Sequence, residues 1–485
     1  DITVSGLSGS SYTVNFHETT GGYKAGTADT FFFTDNADLD FTVDTAATAT
    51  SIIDDNLTAA KTTSLDVTIG KYVDFDGTVT TNKATTLTID NAGTLDGGVF
   101  VAKNLESLTV TGSEDVDLDT GAYNLGSAGS SVAVDASGLS GAAFKASFND
   151  YTTGGGALEV TGTNTGANTI AVEGGRNEIS ITGGVEDDTI TLEEAITGES
   201  SVTIDLGTVS DGDTLALNTG AADTFDFSGS GALSLTGIDV LDGGGNGEAL
   251  TVTASQITGQ AFDIGAGAAL ADITVKGTSS ADTIDMGDIT VTALTNNITV
   301  EGSDGGDTIT ASGGDDIFNY TAASQSSGTN VDAISGFDGT TGSDQIAFDV
   351  EKSGSGIAAI QSAFNTSVLN VVSSASMTSI AASSFIGTTG VSNASLGALG
   401  ASSVALGAWI AGSYASTAFA SQIVSSAAGA GFSSGSQYVF FGFSSANSQL
   451  LIAVGSGGAS NITAATTIMT IAVEGNFTAG DIVLY

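Results

Sequence analysis

Residues 165–191 read TGANTIAVE, GGRNEISIT and GGVEDDTIT, three consecutive nine-residue units with one internal layout. The third unit carries Gly183 and Gly184 at its start, then Asp187, Asp188 and Ile190. A second block, residues 302–319, reads GSDGGDTIT and ASGGDDIFN, with Asp307 before Ile309 and Asp316 before Phe318. The residue types define a chemistry. Glycine admits the positive φ of a tight turn. An Asp at that turn supplies a hard oxygen ligand of the kind calcium takes. The apolar residue that follows faces a core by strand alternation. The first two units hold Asn168 with Ile170 and Asn177 with Ile179, so no carboxylate stands there, and these turns read as closed by Asn side chains. For each single Asp, a turn-former that bonds its own backbone remains the alternative to a metal ligand.

One such unit cannot bury its apolar face alone, so several must stack. The expected scaffold is a parallel β-roll, with ions between turns and aliphatic side chains inside. The surrounding sequence supports strands. LTIDNAG, LTVTGSEDVDL, SVTIDL and DITVKG alternate apolar and polar residues between Gly, Asp and Asn turns. There is no proline where average usage of about 5% would give roughly 24, and its absence suits long β-ladders. A longer repeat overlies this pattern. AVDASGLSGAAF (133–144) parallels TVTASQITGQAF (251–262), and LEVTGTNTGANTI (158–170) parallels ITVKGTSSADTI (273–284). Between the copies, VLDGGGNGEALTV (240–252) has Glu248 where Asp is usual.

Charge narrows the function classes. The chain has 485 residues, 55 acidic and nine basic, for a formal net charge of −46. Nucleic acid and anionic membranes are poor partners for such a surface. The acidity reads either as a solubility device or as a demand for divalent cations. No stretch is long and apolar enough for a membrane span. There is no cysteine, hence no disulfide or thiol chemistry. His17 is the sole histidine, so H-E-x-x-H zinc chemistry is excluded. GFSSG (431–435) fits a nucleophile elbow centred on Ser433, but His17 would precede it, the wrong order for that fold. Paired carboxylates for polysaccharide chemistry are not singled out by any pattern. Trp409 is expected to pack a terminal helix. The first residue is Asp1, which leaves a removed leader or a missing N-terminal segment open.

The nonapeptides resemble those of the repeats-in-toxin (RTX) calcium-binding family. GGDDIFNY (313–320) and VDAISGFDGTTGSDQIAFDV (331–350) look like the segment that follows the repeats in such proteins, and FTAGDIVLY at the end looks like their terminal tail. The sparse repeats among Thr/Ala/Gly-rich β modules resemble RTX-type surface-layer proteins more than toxin arrays. The resemblance implies calcium held by Asp188, Asp282, Asp307 and Asp316, with Asp187, Asp304 and Asp315 as neighbours. Asp338 and Asp344 extend the set beyond the roll, with Asp332 beside them. Backbone carbonyls of Gly183, Gly184, Gly302, Gly305 and Gly314 are the implied co-ligands. It also implies type I secretion with an uncleaved C-terminal signal.

The expected fold is mainly β: a parallel β-roll or β-solenoid with β-sandwich-like repeat modules and a small mixed α/β C-terminal secretion-type domain. The expected divisions are a β-rich domain over 1–130, a repeat module over 131–240, a second over 241–352, and an uncharged Ala/Ser/Gly-rich domain over 353–485. In that last region, apolar spacing of three to four predicts short helices at 356–364 and 404–424, and strands at 437–443, 449–455 and 467–475. The expected function is a non-enzymatic structural protein, extracellular on a bacterial surface, folded by Ca2+ and self-assembling into a lattice. A glycan or lipopolysaccharide anchor is an expected further partner. The alternatives are an RTX-type adhesin or extracellular matrix filament subunit, and a polysaccharide-modifying enzyme on a β-helical scaffold.

Overall fold

The structure, a computed structural model, describes residues 2–4, 11–18, 30–33, 38–45, 51–53 and most of 56–348, then 405–406, 410–412, 437–444, 448–457, 462–475 and 482–484. The chain divides into two compact units: residues 1–250 with 262–271, and residues 251–261 with 272–485. Both are built almost wholly of β-strands, and both are parallel β-solenoids.

In the first unit, the dominant element is a ten-stranded parallel sheet in which each strand pairs with its counterpart on the next coil. Ser11–Glu18 pairs with Asp38–Thr45, then come Ser64–Ile69, Thr86–Asn91 and Ser107–Gly112, and so on to Leu233–Thr236. The register places like on like. Leu39, Leu65, Leu87, Leu108, Val134, Val160, Ile181 and Ile204 form one continuous column, all buried. A second wall of the coil is a parallel sheet through Phe144–Phe148, Asn168–Val172, Thr189–Leu192, Thr214–Leu217 and Val240–Gly243. Its inward column is Ala146, Ile170, Ile190, Leu215 and Leu241. Burial of each large aliphatic contributes about 1.5–3 kcal/mol, so the stacked columns carry the stability of the unit. The alternation read from the sequence is the alternation found: SLDVTI buries its Leu, Val and Ile and turns the rest outward.

In the second unit, one sheet runs Asp272–Lys276, Ile298–Glu301, Asp316–Tyr320, Gln345–Phe348 and Ile482–Leu484, all parallel. The facing sheet starts parallel through Thr283–Asp285, Thr308–Thr310 and Asp332–Phe337. It then takes Ile462–Gly475 as its next parallel strand, followed by Gln449–Gly457 and Gln437–Ser444 as an antiparallel meander. Aromatic side chains fill the space between the sheets: Phe318 lies 5.9 Å from Phe337, and Tyr320 stacks at 5.9 Å on Phe348. The three strands expected at the C-terminus are present, with Leu450–Ala453, Met469, Ile471 and Val473 buried.

The helix expected over 404–424 is corrected. Its described residues, Ala405–Leu406 and Ile410–Gly412, are short strands paired with Gln437–Ser444. Pairing to a long neighbouring strand overrides a weak helical spacing that Gly407 and Gly412 already interrupt. The segments 356–364 and 431–435, and Trp409, lie outside the described residues. Among the described residues, no helix is long and apolar enough to cross a membrane.

Candidate functional site: a stacked carboxylate ladder

The triplet D/N-x-apolar recurs once per coil at the corner where a turn enters a strand. Asn168, Asp188, Asp213 and Asp239 take this place in the first unit, each two residues before a buried Ile170, Ile190, Leu215 or Leu241. Asp282, Asp307, Asp332, Asp316 and Asp344 take it in the second unit, before Ile284, Ile309, Ile334, Phe318 and Ile346. The strand register stacks these corners on one another, so the carboxylates form ladders that run along the coils.

The geometry of a rung is specific. Six of the ladder carboxylates, Asp188, Asp213, Asp239, Asp307, Asp332 and Asp344, accept the backbone N–H of their counterpart one coil earlier. Asn168 N–H donates to Asp188 Oδ1 at 2.6 Å, and Asp188 N–H to Asp213 Oδ1 at 2.7 Å. The Gly212 and Asp213 amides both donate to Asp239 Oδ2, at 2.9 and 3.2 Å. In the second unit, Asp282 N–H donates to Asp307 Oδ1 and Asp307 N–H to Asp332 Oδ1, both at 2.9 Å, while Asp316 N–H donates to Asp344 Oδ1 at 3.0 Å. The remaining oxygen often accepts an amide of its own turn. Gly184 N–H reaches Asp188 Oδ2 at 2.7 Å, Ser312 N–H reaches Asp316 Oδ2 at 2.7 Å, and Asp338 N–H reaches Asp344 Oδ2 at 2.8 Å. Thr278 N–H serves Asp282 in the same way.

The glycines of the motif make room for these carboxylates. A Cβ on Gly183 would lie 2.0 Å from Asp188 Oδ2, one on Gly302 would lie 2.5 Å from Asp307 Oδ2, and one on Gly162 would lie 2.2 Å from Asn168 Oδ1. A Cβ on Gly305 would meet Asp307 Oδ1 at 2.8 Å. Gly184 and Gly314 are constrained differently, by Thr163 O and by the Val291 side chain.

The structure therefore sorts the expected ligands. Asp188, Asp307, Asp316 and Asp344 are buried ladder members, and Asp282 is a half-buried one. Asp187, Asp304, Asp315 and Asp338 are exposed beside them, with Asp304 accepting the Ser324 hydroxyl at 3.1 Å. Among the described residues, no three Asp, Glu or His side chains come together as a group able to hold a metal. Asp213 and Asp239 belong to the ladder but match no nonapeptide. Their signal was the D-x-apolar triplet alone, once per 20 to 28 residues rather than once per nine.

Asp213 Oδ2 in the first unit, and two oxygens on adjacent coils of the second, are buried without a backbone amide. Asp307 Oδ2 and Asp332 Oδ2 are buried and accept no backbone amide, while the Tyr320 hydroxyl, buried across the core, faces Asp332 and favours its ionised form. Burial raises Asp332 to about 7, with the Asp307 charge adding to the shift, and raises Asp307 to about 6, with the Asp282 charge adding. Burial also holds the Tyr320 phenol well above its usual range, and the neighbouring Asp332 charge pushes the same way. On the parallel branch, burial lifts Asp316 to about 8, helped by Asp344, and Asp344 to about 6, helped by Asp338. Two adjacent buried carboxylates, each with an oxygen that no backbone amide engages, in a site where charge is costly, fit a bound cation. The fully engaged Asp188 does not, since its oxygens already accept amide hydrogens.

These features place the described chain among parallel β-solenoids with an internal carboxylate ladder. No protein-family model, curated protein or solved structure matches it.

Proposed function

We propose that this is a non-enzymatic structural protein of a bacterial cell surface, folded with the help of calcium and assembled with its own copies into a surface-layer-like lattice. The observation that carries the reading is the adjacent pair of buried carboxylates, Asp307 and Asp332, each with one oxygen that no backbone amide engages. Those two residues would hold the ion, with backbone carbonyls or water completing a shell of six to eight oxygens. Calcium bound there supplies the positive charge that offsets two neighbouring buried carboxylates. Low free calcium inside a cell would then leave the second unit short of stability and open to export, and millimolar calcium outside would complete it. Type I export through a C-terminal signal belongs to the same reading.

The test is calcium titration of EGTA-stripped protein, followed together by circular dichroism and light scattering. Gain of β-structure with growth of large ordered particles is the expected result. Asp332→Asn should need at least about tenfold more calcium for the same change, since one of two charged ligands is lost. Full β-structure in EGTA, with no change on adding calcium, would sink the metal reading.

A second reading, an adhesin, is favoured by one feature. An open groove of about 480 Å³ in the second unit is lined by Thr278, Ser279, Ser303, Asp304, Ser324 and Gln325. Hydroxyls, a carboxylate and an amide are the groups that engage a glycan. Saturable binding of a surface glycan, lost in Asp304→Ala, would favour it over the lattice.

A further inference from the structure

Three of the chain's nine basic residues share one corner of the first unit. Lys61, Lys83 and Lys103 lie in the tight turns that lead from the short strands Asn56–Ala59, Thr78–Thr80 and Val99–Ala102 into the long strands Ser64–Ile69, Thr86–Asn91 and Ser107–Gly112. Register on both sides of the turn fixes their alignment. Thr58 pairs with Thr80 and Thr80 with Val101, while Leu65 pairs with Leu87 and Leu87 with Leu108. Lys61 and Lys83 therefore occupy the same position on consecutive coils, and Lys103 the position next to it. Neighbouring coils are about 4.8 Å apart.

All three side chains are exposed, and none makes an ion pair or hydrogen bond with a described residue. Lys145 shows the contrast, pairing with Asp117 at 3.3 Å. Like charges stacked on adjacent strands are destabilising. A chain with 55 acidic residues could neutralise such a row internally, and with the described residues it does not. Glu106 shares the corner, three residues after Lys103, and the larger acidic set lies on another surface. The outward face of the ten-stranded sheet carries exposed Asp66, Asp90, Asp135, Glu159, Glu178 and Asp205, alternating with buried aliphatic residues.

We propose that the Lys61–Lys83–Lys103 row is an assembly contact that docks on the acidic outer sheet face of a second copy of this chain. The inference rests on the self-assembly reading and names the surfaces that would carry it. Two copies, each with a net charge of −46, repel one another at long range. The lysine row reverses that sign locally, within the ~8 Å reach of charges at physiological salt. Row and face are different surfaces, so the contact is heterologous and can propagate from copy to copy, as a lattice requires.

The experiment mixes unlabelled and 15N-labelled full-length protein in calcium, joins lysine to carboxylate with a zero-length carbodiimide, and maps mixed-isotope cross-links by mass spectrometry. The expected links join Lys61, Lys83 or Lys103 to carboxylates of the sheet face. The triple variant K61Q/K83Q/K103Q should keep the wild-type circular dichroism and require about tenfold more protein to assemble, equivalent to ~1.4 kcal/mol. The triple Lys→Arg variant, which keeps the charge, should assemble as wild type. Assembly of the Gln variant at the wild-type concentration, or mixed-isotope links from other lysines only, overturns the proposal while leaving self-assembly standing. Wild-type protein that stays monomeric in calcium overturns both. Retention on dextran-sulfate beads that the Gln variant loses, without mixed-isotope links from the row, assigns it to an anionic polymer instead and also overturns the proposal.

Discussion

At the scale of single residues, the ladder carboxylates are held by amides rather than by opposite charges. Asp188 accepts the Asn168 N–H and Nδ2 on one oxygen and the Gly184 N–H on the other, and is fully buried. Asp188→Ala strands those donors away from water, at about 1–3 kcal/mol for each group left unmet. A loss of roughly 3–5 kcal/mol in urea unfolding is expected, and Asp188→Asn, which keeps one acceptor, should lose less. A loss below about 1 kcal/mol would show that the rung is dispensable. The second unit adds a pH dependence. Asp307, Asp316, Asp332 and Asp344 stand above the usual carboxylate value, at about 6, 8, 7 and 6, chiefly because they are buried. A carboxyl raised in the folded state holds its proton where the unfolded chain has released it. Stability therefore falls as pH rises from about 4 through about 8. In EGTA, the melting temperature of the second unit should drop across that window, and calcium should flatten the slope. A calcium-free melting temperature that rises from pH 5 to pH 8 would contradict the assignment.

At the scale of elements, strand pairing joins one coil to the next, and the turns pass each other closely as well. Gly207 has φ of +96°, and a Cβ there would lie 2.1 Å from Gly184 O. Backbone oxygen cannot give way as a side chain can. Gly207→Ala should cost about 3 kcal/mol or more and open the exchange of amides in Thr189–Leu192 and Ser201–Asp205 before the rest. Wild-type exchange in those strands would refute the point. The strands themselves were legible in the sequence, because period-two burial is written directly in segments such as SVTIDL and TLTIDN. Coil length was not. The three nonapeptides of 165–191 are in tandem, yet successive units fall on different walls: Asn168–Val172 and Thr189–Leu192 pair with each other, while Arg176–Thr182 pairs with Gly155–Thr161. Asn168 thus meets Asp188, twenty residues on, and not Asn177. Turns of unequal length set that spacing, and turn length leaves no periodic trace. For the same reason Asp213 and Asp239 were invisible as ladder members, whereas Asp188, Asp307 and Asp316 announced themselves through flanking glycines. The terminal strands Ala405–Leu406 and Ile410–Gly412 were misread because their partner, Gln437–Ser444, lies some thirty residues away in sequence.

At the scale of the molecule, the two units should answer calcium differently. Both carry a ladder, and Asp213 Oδ2 in the first is also buried without a backbone amide, but two such carboxylates on adjacent coils with raised carboxyls, Asp307 and Asp332, lie in the second unit. In the first, Asp188 has both oxygens engaged by amides, and its columns from Leu39 to Ile204 are aliphatic and continuous. Solenoid stability is close to a sum of coil and nearest-neighbour terms, so a local deficit stays local instead of unfolding the whole chain. Hydrogen exchange on the full-length protein tests this. Adding millimolar calcium to EGTA-treated protein should slow exchange by about tenfold or more in Ile298–Glu301, Thr308–Thr310, Asp316–Tyr320 and Asp332–Phe337. Strands Ser64–Ile69, Thr86–Asn91 and Ser107–Gly112 should change little. Asp332→Asn should abolish most of the gain in the second unit and leave the first unchanged. Equal protection of both units by calcium would place the ion elsewhere, on the exposed acidic surface, and detach the ladder from metal binding.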